Sequence, residues 1–468
     1  MYYKYNSFII ALLFIIGCVK SQEVCSVSPC NNNNNGTECY SNILSCINYF
    51  IKNNNYNMAI EVTSGNYESN FDCLNDYQIE IEQPFSLTIN LVSSSDSILF
   101  SCGTVLSIVT DNPTGQYNSV EIQELLIENN NSINSPAIVL VDKNYENSKN
   151  LLSIKSTLFS NYYSNNQNNG GAISTINYNV QVSFSTFVNN SAVNGLGGSI
   201  AALGNQSSVA ITYSYFLNGQ ASMGGAIAAQ SVFVDNTAFG ENTATKAGGA
   251  ILAADFSIYS SIFSSNQAPL GSALASVSSP QLTLEMNNMT QLQVNSSYFG
   301  DHVSTKQGTI YIGEIPITIL NSQFINNQAT VGSALYLNPQ IFKNPAYSIV
   351  IDQVTNFTTN NGINIQFQDL PISVTGGVFS YNQTSPFPSS FMSLPTVHTL
   401  TSSDCNGAPS MLNINQKLSL WSCVGVKGNC QNGSAVVQNG RVQLCNCFVG
   451  WTGKSCNTRF PTKPKSNK

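Results

Sequence analysis

One pattern recurs along most of the chain and constrains its fold more than any count of residues does. It runs aliphatic-x-aliphatic-x-x-Ser/Thr-x-Phe, then Asn, then a Gly-rich step into Ala-Ile. Ile154, Thr157 and Phe159 lead to Gly170-Gly171-Ala172-Ile173, and Val182, Ser185, Phe187 and Asn190 lead to Gly197-Gly198-Ser199-Ile200. Ile211, Ser214 and Phe216 lead to Gly224-Gly225-Ala226-Ile227, and Val234, Thr237, Phe239 and Asn242 to Gly248-Gly249-Ala250-Ile251. Weaker copies follow at Phe263 with Gly271-Ser272-Ala273-Leu274 and at Phe324 with Gly332-Ser333-Ala334-Leu335. Phe299, Phe357 and Phe379 mark three more, and Val120, Ile122, Ile127 and Asn130 before Ala137-Ile138 form a degenerate first copy.

Successive Phe markers from Phe159 to Phe379 stand 22 to 36 residues apart, which fits one supersecondary unit per copy. The alternation within each copy makes the unit β: Val180 with Val182, or Ile317 with Ile319, face one side and their neighbours the other. Gly pairs supply the backbone freedom of tight corners. Two or three short strands per turn, joined at corners, describe a coil whose turns stack like over like at about 4.8 Å. The fold class expected is all-β, a solenoid of stacked parallel strands.

Composition agrees. Charged residues make up 9% of the 468, against about 25% in ordinary domains, while Asn occurs 62 times. Long soluble helices carry Glu, Lys and Arg on their outer faces, so this balance opposes a helical protein. The net charge is -7 and the only arginines are Arg441 and Arg459, which excludes the basic surface that nucleic acid requires.

Met1–Ser21 has the form of a secretory signal, with Lys4, an apolar run from Phe8 to Ile16, and small residues Val19 and Ser21 before a cut. Residues 461–468 are polar and basic, so neither a C-terminal membrane helix nor a lipid-anchor signal is expected, and the mature chain is expected to be extracellular. Removal of Cys18 leaves twelve cysteines in two groups: Cys25, Cys30, Cys39, Cys46, Cys73 and Cys102 towards one end, and Cys405, Cys423, Cys430, Cys445, Cys447 and Cys456 towards the other. An even number in a secreted chain implies disulfides, with the N-terminal six paired among themselves. Cys445 and Cys447 lack a second ligand pair, and His302 and His398 are distant, so no zinc or other cofactor is expected.

The Phe-x-x-Asn and Gly-Gly-Ala-Ile pairing over Ser119 to Asn382 resembles the repeat of polymorphic outer-membrane proteins, within the pectin-lyase-like superfamily of right-handed parallel β-helices. The resemblance implies an adhesive or surface-recognition role. Those proteins end in a membrane β-barrel, whereas this chain ends in a cysteine-rich module, so the same anchoring does not follow. Ile43, Ile47 and Phe50 recur at helical spacing beside Cys39 and Cys46, and the family implies that such a helix closes the N-terminal end of the coil. Ala59–Val62, then Ser64-Gly65-Asn66, is expected to be the first strand and turn.

Cys445-x-Cys447, then Gly453 and Cys456, with Trp451 between, resembles the closing signature of epidermal-growth-factor-like modules. Cys430-Gln431-Asn432-Gly433 resembles the run before it, but Val436 stands where a third cysteine belongs. The family pattern implies Cys430–Cys445 and Cys447–Cys456, with Cys405 replacing the missing partner of Cys423; six cysteines allow 15 connectivities. The boundaries expected are a signal at 1–21, a disulfide-bonded cap and first coils at 22–118, repeats at 119–400, the cysteine-rich module at 401–457 and a basic tail at 458–468.

Many β-helix proteins are polysaccharide lyases or hydrolases, whose chemistry needs clustered carboxylates. Here Asp235, Asp255, Asp301, Glu314 and Asp352 occur at different offsets from their Phe markers. Gly300-Asp301-His302 has the most catalytic look, but His302 takes the Asn slot after Phe299, a turn position, and is expected to be structural, with Asp301 on the same surface turn. Glu80, Glu82, Glu121 and Glu124 alternate with apolar residues as a solvated face. Asn190, Asn242, Asn266 and Asn327 form either a sugar-binding row or, as expected here, a structural ladder, because Asn tolerates left-handed turns and stacked amides can bond up and down the coil. The phenylalanines are expected to be stacked core.

Nine Asn-x-Ser/Thr sequons, at Asn35, Asn130, Asn189, Asn205, Asn288, Asn295, Asn356, Asn382 and Asn432, imply glycosylation that would make up for scarce surface charge. The sequence therefore points to a secreted, non-catalytic glycoprotein for adhesion or recognition, with an extracellular protein or carbohydrate as partner. A polysaccharide-active enzyme and an inert coat or matrix component are the alternatives.

Overall fold

The aliphatic positions of the repeat form unbroken columns. In the first sheet, Ile60, Ile89, Ile122, Ile154, Val182, Ile211, Val234, Ile258, Val294, Ile319 and Ile351 lie in lateral register from coil to coil. In the third, Leu106, Ile138, Ile173, Ile200, Ile227, Ile251, Leu274, Ile310 and Leu335 do the same. All of these side chains are buried. The computed structural model describes residues 24–27, 43–62, 65–67, 78–91, 98–101, 103–111, 117–129, 134–143, 149–164, 169–204, 207–276, 291–313, 315–330, 332–338, 349–351, 355–358 and 360, and ten strand segments between 365 and 459.

Three parallel sheets of 13, 12 and 12 strands run the length of the coil, each coil contributing one strand to each sheet in turn. Asn179–Ser183, Thr186–Val188 and Ile200–Leu203 are one such set. Every strand thus pairs with the coil before and the coil after, as a parallel β-helix requires. Inside, Phe159, Phe187, Phe216, Phe239, Phe263, Phe299, Phe324 and Phe357 stack ring on ring at 4.7–5.0 Å. That spacing equals the strand separation, so backbone pairing and aromatic stacking reinforce each other.

A second ladder satisfies the first corner. The hydroxyls of Ser185, Ser214, Thr237, Ser261, Ser297, Ser322 and Thr355 each accept the backbone N–H of the corresponding residue one coil earlier, from Thr157 to Ser322, at 3.1–3.3 Å. Those from Thr157 to Ser322 each donate in turn to the carbonyl two residues back. Buried polar groups are thereby paired where the corner interrupts the sheets.

Five coils exceed the expected two or three strands. Ser191–Leu196, Gln220–Met223, Thr243–Ala247, Gln267–Leu270 and Val303–Gln307 form an extra lateral sheet before the glycine corner. Leu196, Met223 and Ala247 from it cover the outer residues Ala201, Ala228 and Leu252 of the third sheet, making a satellite apolar cluster.

At the N-terminal end, helix α1 (Ile43–Lys52) buries Ile43, Cys46, Ile47 and Phe50 in the main core. The first strand is not Ala59–Val62. Val24–Val27 lies ahead of it in the sheet, parallel to Asn57–Val62, and a disulfide joins Cys25 of that strand to Cys46 of the helix. Towards the other end, Trp421–Cys423, Gly433–Gln438 and Arg441–Cys447 belong to a separate four-stranded sheet with antiparallel pairing. Cys423, Cys445 and Cys447 lie in these strands; Cys30, Cys39, Cys73, Cys102, Cys405, Cys430 and Cys456 lie outside the described residues, and so do the proposed C-terminal pairings. No helix among the described residues is long and apolar enough to cross a membrane.

Candidate functional site

The carboxylates do not converge. Asp301 sits on an exposed corner at φ 58° and accepts a bond from Asn326 Nδ2 at 2.7 Å. Asp255 begins a first-sheet strand, where partial burial raises its pKa while the Gln291 N–H at 2.8 Å pulls it back. Asp235 is half-buried, while Glu314 and Asp352 lie outside the described residues. Glu80, Glu82 and Glu124 are exposed and Glu121 is half-buried, and they lie on more than one sheet. Glu80 is in the third sheet and meets Lys143 at 3.8 Å, whereas Glu121 is in the first sheet and meets Lys155 at 2.5 Å. Among the described residues no three His, Cys, Asp or Glu side chains are grouped to hold a metal ion.

The asparagine row is structural. Asn190, Asn242, Asn266, Asn327 and Asn360 are buried, and each Nδ2 donates to the carbonyl of the stacked Phe one coil earlier, at 2.9–3.1 Å. Their Oδ1 atoms accept backbone N–H groups of that earlier coil, at Tyr162, Gly219, Asn242, His302 and Asn327. The left-handed conformation belongs to the residue before each rung, such as Asn189, Glu241, Ser265, Asp301 and Asn326. Asn holds the rung because its amide offers one donor and one acceptor, not because it tolerates the turn. His302 is one of these rungs, fully buried, and not a surface turn residue.

What the sequence reading missed lies outside the first corner, where the residue before each ladder hydroxyl from Thr157 to Ser322 has φ of 45–52°. Ser156, Asn236, Ser260, Ser296 and Asn321 fill five of these positions; Phe184 and Tyr213 fill the other two. An aromatic residue there is strained, since its Cβ crowds the backbone at positive φ, and the cost is about 1–3 kcal/mol each. Core burial does not repay it: Phe184 is 64% exposed and Tyr213 50%. Their rings stack on each other at 5.1 Å and 3°. Tyr215, two residues beyond Tyr213 on the second sheet, is 55% exposed, and the next two coils carry Phe233 and Tyr259 on the outer face of the first sheet, 5.6 Å apart. Aligning the repeats on their Ser/Thr would have shown aromatic residues in a column otherwise polar.

Of the sequons, Asn189 is exposed and its amide donates to Asn161 Oδ1 at 3.2 Å, while Asn295 is half-exposed and its Oδ1 accepts from the Ser296 hydroxyl at 3.0 Å. Asn35, Asn130, Asn205, Asn288, Asn382 and Asn432 lie outside the described residues, as does the Asn356 side chain.

No protein-family model matches this sequence, and no curated protein matches it. Among solved structures it is similar to one described as "Crystal structure of Dettilon tailspike protein (gp208)", at 10% identity and a TM-score of 0.38, over 91% of this chain and 79% of that one. Likeness of that degree carries no functional argument, and the β-helix is defined by the chain's own sheets.

Proposed function

We propose that this chain is an extracellular recognition or adhesion protein that binds through its surface and carries out no catalysis. The observation that carries the reading is the Phe184–Tyr213 pair: two exposed aromatic rings held at strained corner positions that the same fold fills elsewhere with small or polar residues. Strain retained at a solvent-facing position marks a functional site more than a stabilising one. The scattered carboxylates favour binding over polysaccharide cleavage.

Finer features belong to the same proposal. The signal-like N-terminus, the nine sequons and the C-terminal run resembling an epidermal-growth-factor-like module suit a secreted, glycosylated, disulfide-bonded protein. The repeat's similarity to that of polymorphic outer-membrane proteins supports an adhesive role.

The test is saturable binding of the purified protein to cell surfaces and extracellular matrix, run beside polysaccharide depolymerisation. Binding without chain cleavage is expected. Depolymerisation that Asp301→Ala abolishes, or the absence of saturable binding, would overturn the reading.

A further inference from the structure

We propose that the Phe184–Tyr213 corner is a stacking site for the sugar rings of a neutral glycan, an inference that rests on this corner being the recognition surface. The backbone places the two rings in one column, because the Phe184 N–H bonds the Thr212 carbonyl and the Tyr213 N–H bonds the Asp235 carbonyl. The column continues to Ser156 on one side and Asn236 on the other. Each ring therefore has one face against its partner and the other towards a short polar side chain, with no third ring among the described residues to cover it. A pyranose ring is similar in breadth to a phenyl ring, carries a flat face of C–H bonds and wears its hydroxyls round the rim. Stacked on either open face, it would bury that apolar face on the aromatic ring and direct rim hydroxyls at the Ser156 hydroxyl or the Asn236 amide.

Charge selects among glycans. Lys155, next to Ser156, is engaged by Glu121 at 2.5 Å, and Asp235, next to Asn236, adds a carboxylate at the other end. Among the described residues neither end offers an unpaired cation, so sulfated or uronate-rich polymers are disfavoured and neutral sugars, whose hydroxyls donate to carboxylates, are favoured. Shape points the same way. The pair crowns a convex corner between two sheets, which suits a ligand engaged one ring at a time better than the broad face a stable protein interface needs, about 800 Å² per partner. Tyr215 extends the platform round the corner, and Phe233 with Tyr259 extends it along the coil axis, so an oligosaccharide has further rings to meet.

Serine and asparagine already occupy this conformation at Ser156 and Asn236, so Phe184→Ser with Tyr213→Asn removes the platform without creating a glycosylation sequon. Binding of the wild-type protein, this double variant and Phe184→Tyr would be measured by calorimetry and on an array of neutral, uronate and sulfated oligosaccharides, with a thermal melt of each. The wild type is expected to bind neutral oligosaccharides, the double variant about tenfold or more weaker with an unchanged or higher melting temperature, and Phe184→Tyr like the wild type. Equal binding by the double variant, preference for anionic chains, or a melting temperature that falls along with binding would overturn the proposal. If the wild type bound cell surfaces through a protease-sensitive partner and no glycan, the glycan assignment would fail while the recognition reading stood. If it bound neither, both would fail.

Discussion

His302 Nδ1 accepts the backbone N–H of Asn266 at 3.1 Å, in the place where Asn266 Oδ1 accepts the N–H of Asn242 at 2.9 Å. The imidazole thus imitates an amide rung. Nδ1 stands for the oxygen, and Nε2 turns towards the Phe263 carbonyl without a bond of normal geometry, where Asn266 Nδ2 reaches Phe239 at 3.0 Å. Burial, only partly countered by the backbone contacts and the Asp301 charge, lowers the pKa to about 4 from an ordinary 6.5.

Acid sensitivity follows from that rung. Between pH 6.5 and about 4 the unfolded chain takes up a proton that the folded state refuses, so stability present at neutral pH is lost as pH falls, by about 3 kcal/mol at the lower end. His302→Asn, made in a host that does not glycosylate because the change creates an Asn-Val-Ser sequon, is expected to be at least as stable at pH 7 and to lose less stability at pH 4.5. Urea unfolding at both pH values checks this; an identical pH difference in wild type and variant would refute it.

The inner stack and the outer pair should respond oppositely to truncation. Phe263 lies between Phe239 at 4.7 Å and Phe299 at 4.8 Å, fully buried, so Phe263→Ala removes two ring contacts and opens a cavity that the tightly registered coils cannot close. A loss of about 3–5 kcal/mol is expected, read from denaturant midpoints. Phe184→Ala should cost far less. Comparable losses at the two positions would show that the corner pair is part of the core.

Much of this fold is legible because a β-helix repeats its physics: columns of Ile, Phe and Ser/Thr in the sequence become columns in space. The lateral strands were not legible, since Ser191–Leu196 and its successors differ in length and pair with shifted registers, leaving no constant period to find. Val24–Val27 was missed because four residues outside the repeat carry no alternation long enough to recognise. The recognition corner was hidden for another reason. Attention to Phe187 and Phe216 as core markers passes over Phe184 and Tyr213, three residues earlier, whose meaning depends on a backbone angle that the sequence shows only when the copies are aligned.

Glycine tolerance should divide by what an added methyl meets. A Cβ on Gly198 would lie 2.0 Å from the Gly225 carbonyl oxygen and 2.6 Å from the Gln220 nitrogen, both backbone atoms of the next coil. On Gly240 it would meet Leu217 Cδ2 at 3.0 Å, the end of a flexible side chain. Gly198→Ala must push two coils out of register and is expected to cost about 3 kcal/mol or more, whereas Gly240→Ala should stay within about 1 kcal/mol of the wild type. Thermal melts of the two variants decide it, and a stable Gly198→Ala protein would mean that the corners are looser than the ladder geometry implies.

The Cys25–Cys46 disulfide does more than close a loop of 21 residues, which alone is worth about 3 kcal/mol in the chain-entropy account. It fastens Val24–Val27, the outermost strand of the first sheet, to the helix that covers the end of the core. Without it, that strand can peel away and leave the edge of Asn57–Val62 with unpaired backbone groups, a template for another chain. The double variant Cys25→Ser/Cys46→Ser is therefore expected both to melt lower and to self-associate as concentration rises, in sedimentation velocity at neutral pH. Lower stability without association would make the bond a simple staple. Association at unchanged stability would place its main effect at the exposed edge, because pairing of open edges depends on how often the strand detaches and not on the stability of the coils behind it.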